Sequence, residues 1–214
     1  MRPRDAATLI LTRDNREVLL GVRSAGHVFM PHMYVFPGGR VDAGDARVAS
    51  PFGLSSVDVK KLTRSTSAAR ARALAMTAVR ETFEETGLIL GHKQDPAPRS
   101  RSPHWQPFFQ TGYVPALDKM QYVARAITPP GGVRRYDARF FLADARDVSG
   151  QLKGNGELED LRWVSLDQAL DLPLSPITEL VLELLGERLR GARGDWEHIP
   201  LYRSLFGKEL VEHE

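Results

Sequence analysis

Apolar and polar positions along the first third of the chain follow a β-like pattern before a helical period takes over. Ala6–Leu11 is apolar and rich in strand formers, Asp14-Asn15 punctuates it, and Glu17–Arg23 resumes the pattern, which predicts a hairpin. His32–Phe36 predicts a short third strand running into Gly38-Gly39. Residues 46–66 hold no sustained period and read as an irregular excursion, with a short helix over Ser56–Leu62. From Ser67 to Thr86 the apolar residues Ala71, Leu74, Ala75, Ala78, Val79 and Phe83 recur at three- and four-residue steps. That spacing predicts a long helix with one buried stripe, stopped by Gly87. Leu88–Leu90 then begins another strand.

The second half continues the α/β order. Residues 91–103, rich in Pro, Ser and Arg, read as a loop, and Trp105–Tyr113 as a partly apolar helix. Gln121–Ile127, Tyr136–Ala143 and Leu158–Val164 are predicted strands. Pro129-Pro130-Gly131-Gly132 joins the first two; no Gly-Lys-Ser or helix start follows it, so a hairpin-type turn is preferred to a phosphate cradle. Ser165 with Gln168 forms a capping box for a helix over 166–171. Ser175-Pro176 opens a helix whose Ile177, Leu180, Val181, Leu184 and Leu185 share one face, ending near Gly191. Residues 192–214 carry Trp196, Leu201, Tyr202, Leu205 and Phe206, too apolar for a linker. This tail is expected to pack on its own domain or on a second copy of the chain, as a homodimer. The pattern therefore predicts one α/β domain over residues 1–191, an excursion at 46–66 and a tail at 192–214.

Composition narrows the class. A chain of 214 residues, 42% hydrophobic and 26% charged, suits a soluble globular domain with a sizeable core. With no cysteine, disulfides, thiolate metal sites and a thiol nucleophile are excluded. No run approaches the roughly 18 apolar residues a membrane span needs, and Met-Arg-Pro-Arg-Asp does not open a signal peptide, so a cytoplasmic protein without membrane contact is expected. Lys and Arg total 29 against 27 Asp and Glu, too balanced for a nucleic-acid surface. Positive charge matters locally instead, at Arg99, Arg101, Arg134 and Arg135. The six histidines lack paired metal-ligand spacing, which argues against a zinc hydrolase.

The candidate chemistry lies in Arg80-Glu81-Thr82-Phe83-Glu84-Glu85-Thr86-Gly87-Leu88-Ile89. Glu81, Glu84 and Glu85 stand at i, i+3 and i+4 and share a helix face, largely off the apolar stripe. At roughly 6 Å and an effective dielectric near 20, each unpaired couple costs about 2–3 kcal/mol. Hard oxygen ligands on a rigid helix suit Mg²⁺ or Mn²⁺, with phosphate oxygens completing the coordination. Upstream, the paired glycines of Phe36-Pro37-Gly38-Gly39-Arg40-Val41-Asp42-Ala43-Gly44-Asp45 let a backbone turn tightly and approach a ligand.

Together these segments resemble the Nudix box. Gly39 and Asp45 match its first half, and Arg80, Glu81, Glu84, Glu85, Gly87 and Leu88 its second. Asp45 stands where the family usually has Glu and Thr82 where it has an apolar residue; residues 46–79 occupy a gap that is seven residues in the compact box. The resemblance implies a Nudix-type α/β/α sandwich around a mixed sheet, with an insertion inside the motif and C-terminal helices. It also implies that Glu81, Glu84 and Glu85 bind the cation, that a carbonyl of Gly38 or Gly39 adds a ligand, and that Arg80 orients the glutamates. Glu157, Glu159 and Asp160 are candidates for a further base, although an acidic turn is the preferred reading of that cluster.

Substrate features are sparser. Arg23-Ser24, separated by eleven residues from Phe36-Pro37-Gly38-Gly39, is similar to a signature of the family's coenzyme A diphosphatases, with Val28 where that signature has a second Arg and His32 where it has Gly. The interrupted box and the segments around Ile127–Pro130 and Arg135–Phe141 point the same way. The expected ligand is a small-molecule nucleotide, with Arg23, Arg40, Arg134 and Arg135 as phosphate contacts. ADP-ribose, NADH or another nucleotide is the alternative substrate, and a nucleotide sensor without catalysis is the alternative class. The excursion at 46–66 is expected beside the active-site entrance.

Overall fold

A computed structural model describes residues 2–24, 26, 31–96, 98–131, 134–189, 198–205 and 208–213. Its centre is a nine-stranded mixed sheet. Strand β1 (Arg4–Arg13) turns back as β2 (Glu17–Arg23) through Asp14 and Asn15, both at positive φ, 52° and 53°. Asn and Asp tolerate that conformation, and two such residues give the turn whose twist suits a hairpin. The third strand is shorter than the pattern suggests: β3 covers Tyr34–Val35, and β4 (Gly38–Arg40) follows at once. His32 precedes it at φ 62°, outside strand geometry.

Helix α1 (Ser56–Leu62) forms as predicted, and α2 (Ala68–Thr86) begins after Ser67, whose side chain accepts a hydrogen bond from Arg70 N–H. Gly87 ends α2 at φ 71°, a left-handed conformation natural to glycine. Strand β5 extends to Lys93 (Leu88–Lys93), beyond the predicted Leu90 and into the expected loop. The predicted helix over Trp105–Tyr113 divides into α3 (Gln106–Gln110) and a strand β6 (Tyr113–Pro115), with Gly112 at φ 82° breaking it. Strands β7 (Gln121–Ile127) and β8 (Tyr136–Asp144) form an antiparallel pair, as a hairpin-type connection requires; Gly132 of that connection lies outside the described residues. Then follow β9 (Val148–Gly150), β10 (Leu158–Ser165), α4 (Leu166–Ala169, shorter than predicted) and α5 (Pro176–Leu189). Ser165 and Ser175 accept hydrogen bonds from the N–H groups of Gln168 and Thr178.

The two C-terminal helices α4 and α5 are followed, among the described residues of the tail, by β11 (Pro200–Leu205) and β12 (Lys208–His213), which make an antiparallel hairpin. Trp196, Phe206 and Gly191 lie outside the described residues. The sheet order is β10-β2-β1-β8-β7-β11-β12, with β3 on β2 and β4 on β1, while β6-β5-β9 form a second small sheet. β1 and β8 run parallel at the centre, and β11 joins β7 in parallel.

Two cores flank the main sheet. Ala7, Leu9 and Leu11 face Leu74, Ala75 and Ala78 of α2, whereas Ile10 and Phe140 face Val181, Leu182 and Leu185 of α5. This alternation is the period-2 consequence of strand geometry. The excursion at 46–66 belongs to the α2 side: Val48 and Leu62 are buried there, Phe52 and Leu54 pack against it, and Asp58 accepts a hydrogen bond from Tyr122 N–H at 3.0 Å. Among the described residues no helix is long and apolar enough to cross a membrane.

Candidate active site

Two segments separated by the excursion are locked together by charge. Arg80 on α2 is only 3% exposed, and Asp45 beyond β4 is fully buried. Arg80 donates from Nε to Asp45 Oδ1 at 2.8 Å and from Nη2 to Oδ2 at 3.0 Å. Asp45 also accepts from Thr77 Oγ1 (2.7 Å), Trp105 Nε1 (2.9 Å) and the Asp42 N–H (2.8 Å). Burial alone would raise the Asp45 pKa, but the Arg80 hydrogen bond and charge, with Asp42 N–H and Thr77, hold it below its ordinary value. Trp105 thereby enters the site from the loop before α3, a partner that no motif in the sequence signals.

Arg80 reaches further. Its Nη1 lies 2.8 Å from Glu81 Oε1 and 3.1 Å from Glu84 Oε2, and its Nη2 donates to the Arg40 carbonyl at 3.0 Å. One guanidinium thus fixes two glutamates and the β4 strand through charge-assisted hydrogen bonds, using its planar set of donors.

Strand β4 supplies the opposing surface. It pairs antiparallel with β1 through Ala6↔Arg40, Ala7↔Gly39 and Thr8↔Gly38, with Leu9 N–H to Pro37 C=O and Val41 N–H to Asp5 C=O on either side. Antiparallel ladders alternate bonded and non-bonded pairs, so Gly39 is spent in the ladder while Gly38 and Arg40 turn their polar groups away from β1. Gly38 N–H accordingly donates to Glu85 Oε2 at 2.8 Å. Of the two glycine carbonyls, that of Gly38 is the one aimed away from the sheet. Both positions demand glycine: a Cβ on Gly38 would sit 2.6 Å from the Ala7 carbonyl, and one on Gly39 would sit 2.4 Å from the Glu81 carboxyl carbon.

The three glutamates differ in exposure. Glu84 is the most open, whereas Glu85 is 5% exposed, on the buried part of α2 and not off it as the stripe suggests. The helix is enclosed nearly all round, with Thr77, Thr82 and Thr86 buried as well, while Phe83 is only partly covered. Burial raises the Glu81 pKa to about 7, with Arg80 opposing and Glu84 reinforcing the rise. Burial, and then the neighbouring Glu81 charge, raises that of Glu85 well above the carboxylate range. Burial also lifts Glu84, against Arg80. Among the described residues no three acidic or histidine side chains form a ready ion cage, because Arg80 draws Glu81 and Glu84 to itself while Glu85 is held by Gly38. The donor set nevertheless fits a hard divalent cation: crowded, desolvated carboxylates beside a glycine carbonyl carry more negative charge than Arg80 alone offsets.

All three glutamates line a cavity of about 780 Å³ between the sheet and α5. Small residues at the sheet positions facing α5, Ala6, Thr8, Ala126 and Ala138, leave its floor low. Arg23, Arg40 and Arg134 line it, but Arg135 does not; its Nε donates to the Thr128 carbonyl at 3.1 Å. Glu157 lines the cavity, whereas Glu159 and Asp160 stay outside, Asp160 pairing with Arg162 and Tyr34. His104 and the tail residues Tyr202, Arg203, Leu210 and Val211 also line it, none of them marked by a sequence motif. No residue of 46–66 does, which corrects the expectation that the excursion flanks the entrance: its apolar residues are used in the α2 core instead. Val28 lies outside the described residues.

Comparison with known proteins agrees with this geometry. A sequence model of the NUDIX domain matches residues 70–185. A Caenorhabditis elegans protein provisionally named nudix hydrolase 7 is 26% identical over 180 residues, 78% of this chain and 53% of that protein, so the chain spans about half the length of this relative. The crystal structure of a NUDIX hydrolase from Alicyclobacillus acidocaldarius is 27% identical, with a TM-score of 0.65 over 86% of this chain and 91% of that one. The E. coli ORF135 protein, 21% identical, shares the fold with a TM-score of 0.52 over 91% and 96% of the two chains.

Proposed function

Because this chain belongs to the Nudix family, we propose that it is a divalent-metal-dependent hydrolase of the diphosphate linkage in a nucleoside diphosphate derivative, with coenzyme A or an acyl-coenzyme A as substrate. The observation that carries the reading is that Glu81, Glu84 and Glu85 gather at one end of a cavity that also presents Arg23, Arg40 and Arg134. A diphosphate needs negative charge neutralised at phosphorus and positive charge along its flanks, and this arrangement offers the means for both.

Glu81, Glu84, Glu85 and the Gly38 carbonyl would hold Mg²⁺ or Mn²⁺. The ion, when bound, neutralises diphosphate charge and lowers the pKa of a coordinated water. The chain's own groups do the rest. Arg80 keeps Glu81 and Glu84 in place and is itself aimed by Asp45. One of the glutamates accepts the proton of the attacking water as it approaches phosphorus. Arg23 and Arg134 hold phosphate oxygens of the substrate, and for coenzyme A one of them reads the 3′-phosphate. The apolar walls exclude bulk water, which strengthens every charge interaction inside.

A substrate panel with Mg²⁺ and Mn²⁺ over coenzyme A, acyl-coenzyme A, NADH and ADP-ribose tests the proposal. The expected products from coenzyme A are 3′,5′-ADP and 4′-phosphopantetheine. Dephospho-coenzyme A, which lacks one charged contact, is expected to be roughly ten- to a hundredfold poorer. Efficient cleavage of ADP-ribose or NADH with coenzyme A untouched would remove the coenzyme A reading and keep the metal-dependent one.

A further inference from the structure

The cavity that holds the glutamates has a second end with different chemistry. There its wall is built by Ile177 and Leu180 of α5 and by Tyr202, Leu210 and Val211 of the C-terminal hairpin. The hairpin is fixed by backbone pairing to β7: Tyr202 stands opposite Ala126, a residue of the cavity floor, and Arg203 opposite Ile127. Leu210 and Val211 are 36% and 55% exposed, among the most exposed large apolar side chains described. Apolar surface left open on an outer strand is a liability unless something covers it. The neighbouring cation supplies no net charge, because Arg203 is paired with Glu212 at 2.7 Å. An alkyl or similar apolar group laid along this wall gains the area it covers.

We propose that the β11–β12 hairpin is the specificity wall of this site and that its ligand is a diphosphate ester carrying an apolar chain, which lies against Leu180, Tyr202 and Val211 while the diphosphate occupies the glutamate end. The inference rests on the reading of the glutamate end as a diphosphate site. It adds that the C-terminal hairpin, outside the span matched by the family sequence model, selects what the diphosphate is attached to.

The test uses calorimetry on the full chain with Mn²⁺ and two non-hydrolysable probes: the methyl and the octyl ester of adenosine 5′-methylenediphosphonate. Wild-type protein is expected to bind the octyl ester at least about tenfold more tightly than the methyl ester. In Val211→Asp that ratio is expected to fall to within about twofold of one. Val211→Ser, a milder change at an exposed position, lowers the same ratio and guards against a folding defect. A ratio near one in wild type, or an undiminished ratio in both variants, overturns the inference. If the methyl ester binds and the octyl ester gains nothing, the diphosphate reading stands and the hairpin assignment falls; if neither ester binds, both fall.

Discussion

Arg80 and Asp45, 35 positions apart in sequence, meet in a buried two-point ion pair at 2.8 and 3.0 Å. Asp45 consumes one side of the guanidinium, and what remains is aimed at Glu81, Glu84 and the Arg40 carbonyl. The excursion between the two segments leaves the contact intact because it folds away onto the α2 core.

Breaking this pair strips the buried guanidinium of its two-point partner and leaves it Glu81 and Glu84. Asp45→Asn is expected to cost about 3–5 kcal/mol and to lower the melting temperature by roughly 10 °C. Arg80→Lys keeps the charge without the two-point geometry and should also lose activity, since a compact ammonium cannot serve Asp45, Glu81, Glu84 and the Arg40 carbonyl together. A double-mutant cycle on Arg80 and Asp45 by denaturant unfolding reads the coupling directly; additive effects would show that the pair does not act as a unit.

Glu85 carries an opposition between stability and activity. Burial makes its folded carboxyl hold a proton more tightly than the unfolded one, so its ionisation opposes folding once the pH rises above the ordinary glutamate value near ~4.3. Glu85→Gln should therefore raise the metal-free melting temperature at pH 7 by about 2–5 °C while lowering kcat by at least about a hundredfold. The thermal gain should vanish below about pH 4, where the carboxyl is protonated in both states. Thermal melts across pH, paired with turnover, check both halves.

Acid should weaken the fold through carboxylates shifted the other way. Asp45, and Asp137 held by Arg125 at 2.8 Å and Arg139 at 2.6 Å, have pKa values lowered against the opposing effect of burial. A depressed folded pKa contributes stability that is fully present above the unfolded value, near ~3.9, and lost as the pH falls through the folded one. Urea midpoints are expected to rise from pH 7 to about 5, as the glutamates with raised folded pKa values take up protons, and to decline steeply below 4. Asp137→Asn should flatten that decline; an unchanged slope would remove Asp137 from the account.

The excursion should behave as core and not as a lid. Leu62 is fully buried against the α2 side, so Leu62→Ala is expected to cost about 2–5 kcal/mol. KM for any diphosphate substrate should stay within about twofold, measured at a temperature where the variant remains folded. A selective change in KM with unchanged stability would return the excursion to the cavity.

Local patterns determined much of this protein. The Asp14-Asn15 hairpin, the span and Gly87 stop of α2, and the one-turn cluster of Glu81, Glu84 and Glu85 all depend on interactions within a few residues, which a sequence displays. The Gly38-Gly39 pair is visible in the sequence too, but what demands glycine there is the close approach of Ala7 and Glu81, both distant in the chain. Tertiary structure alone decided that Glu85 is buried, since a helix covered on several sides has no polar face to read from periodicity. It also decided that Trp105 completes the Asp45 site, that Arg23 and Arg134 line the cavity while Arg135 turns to Thr128, and that residues 46–66 pack away from it. The tail read as apolar, but its pairing with β7 depends on a backbone ladder between distant segments, and hydrogen bonds of that kind leave no mark in composition. Short-range geometry wrote the acidic helix into the sequence; the far wall of the cavity exists only where strands far apart in the chain are brought side by side.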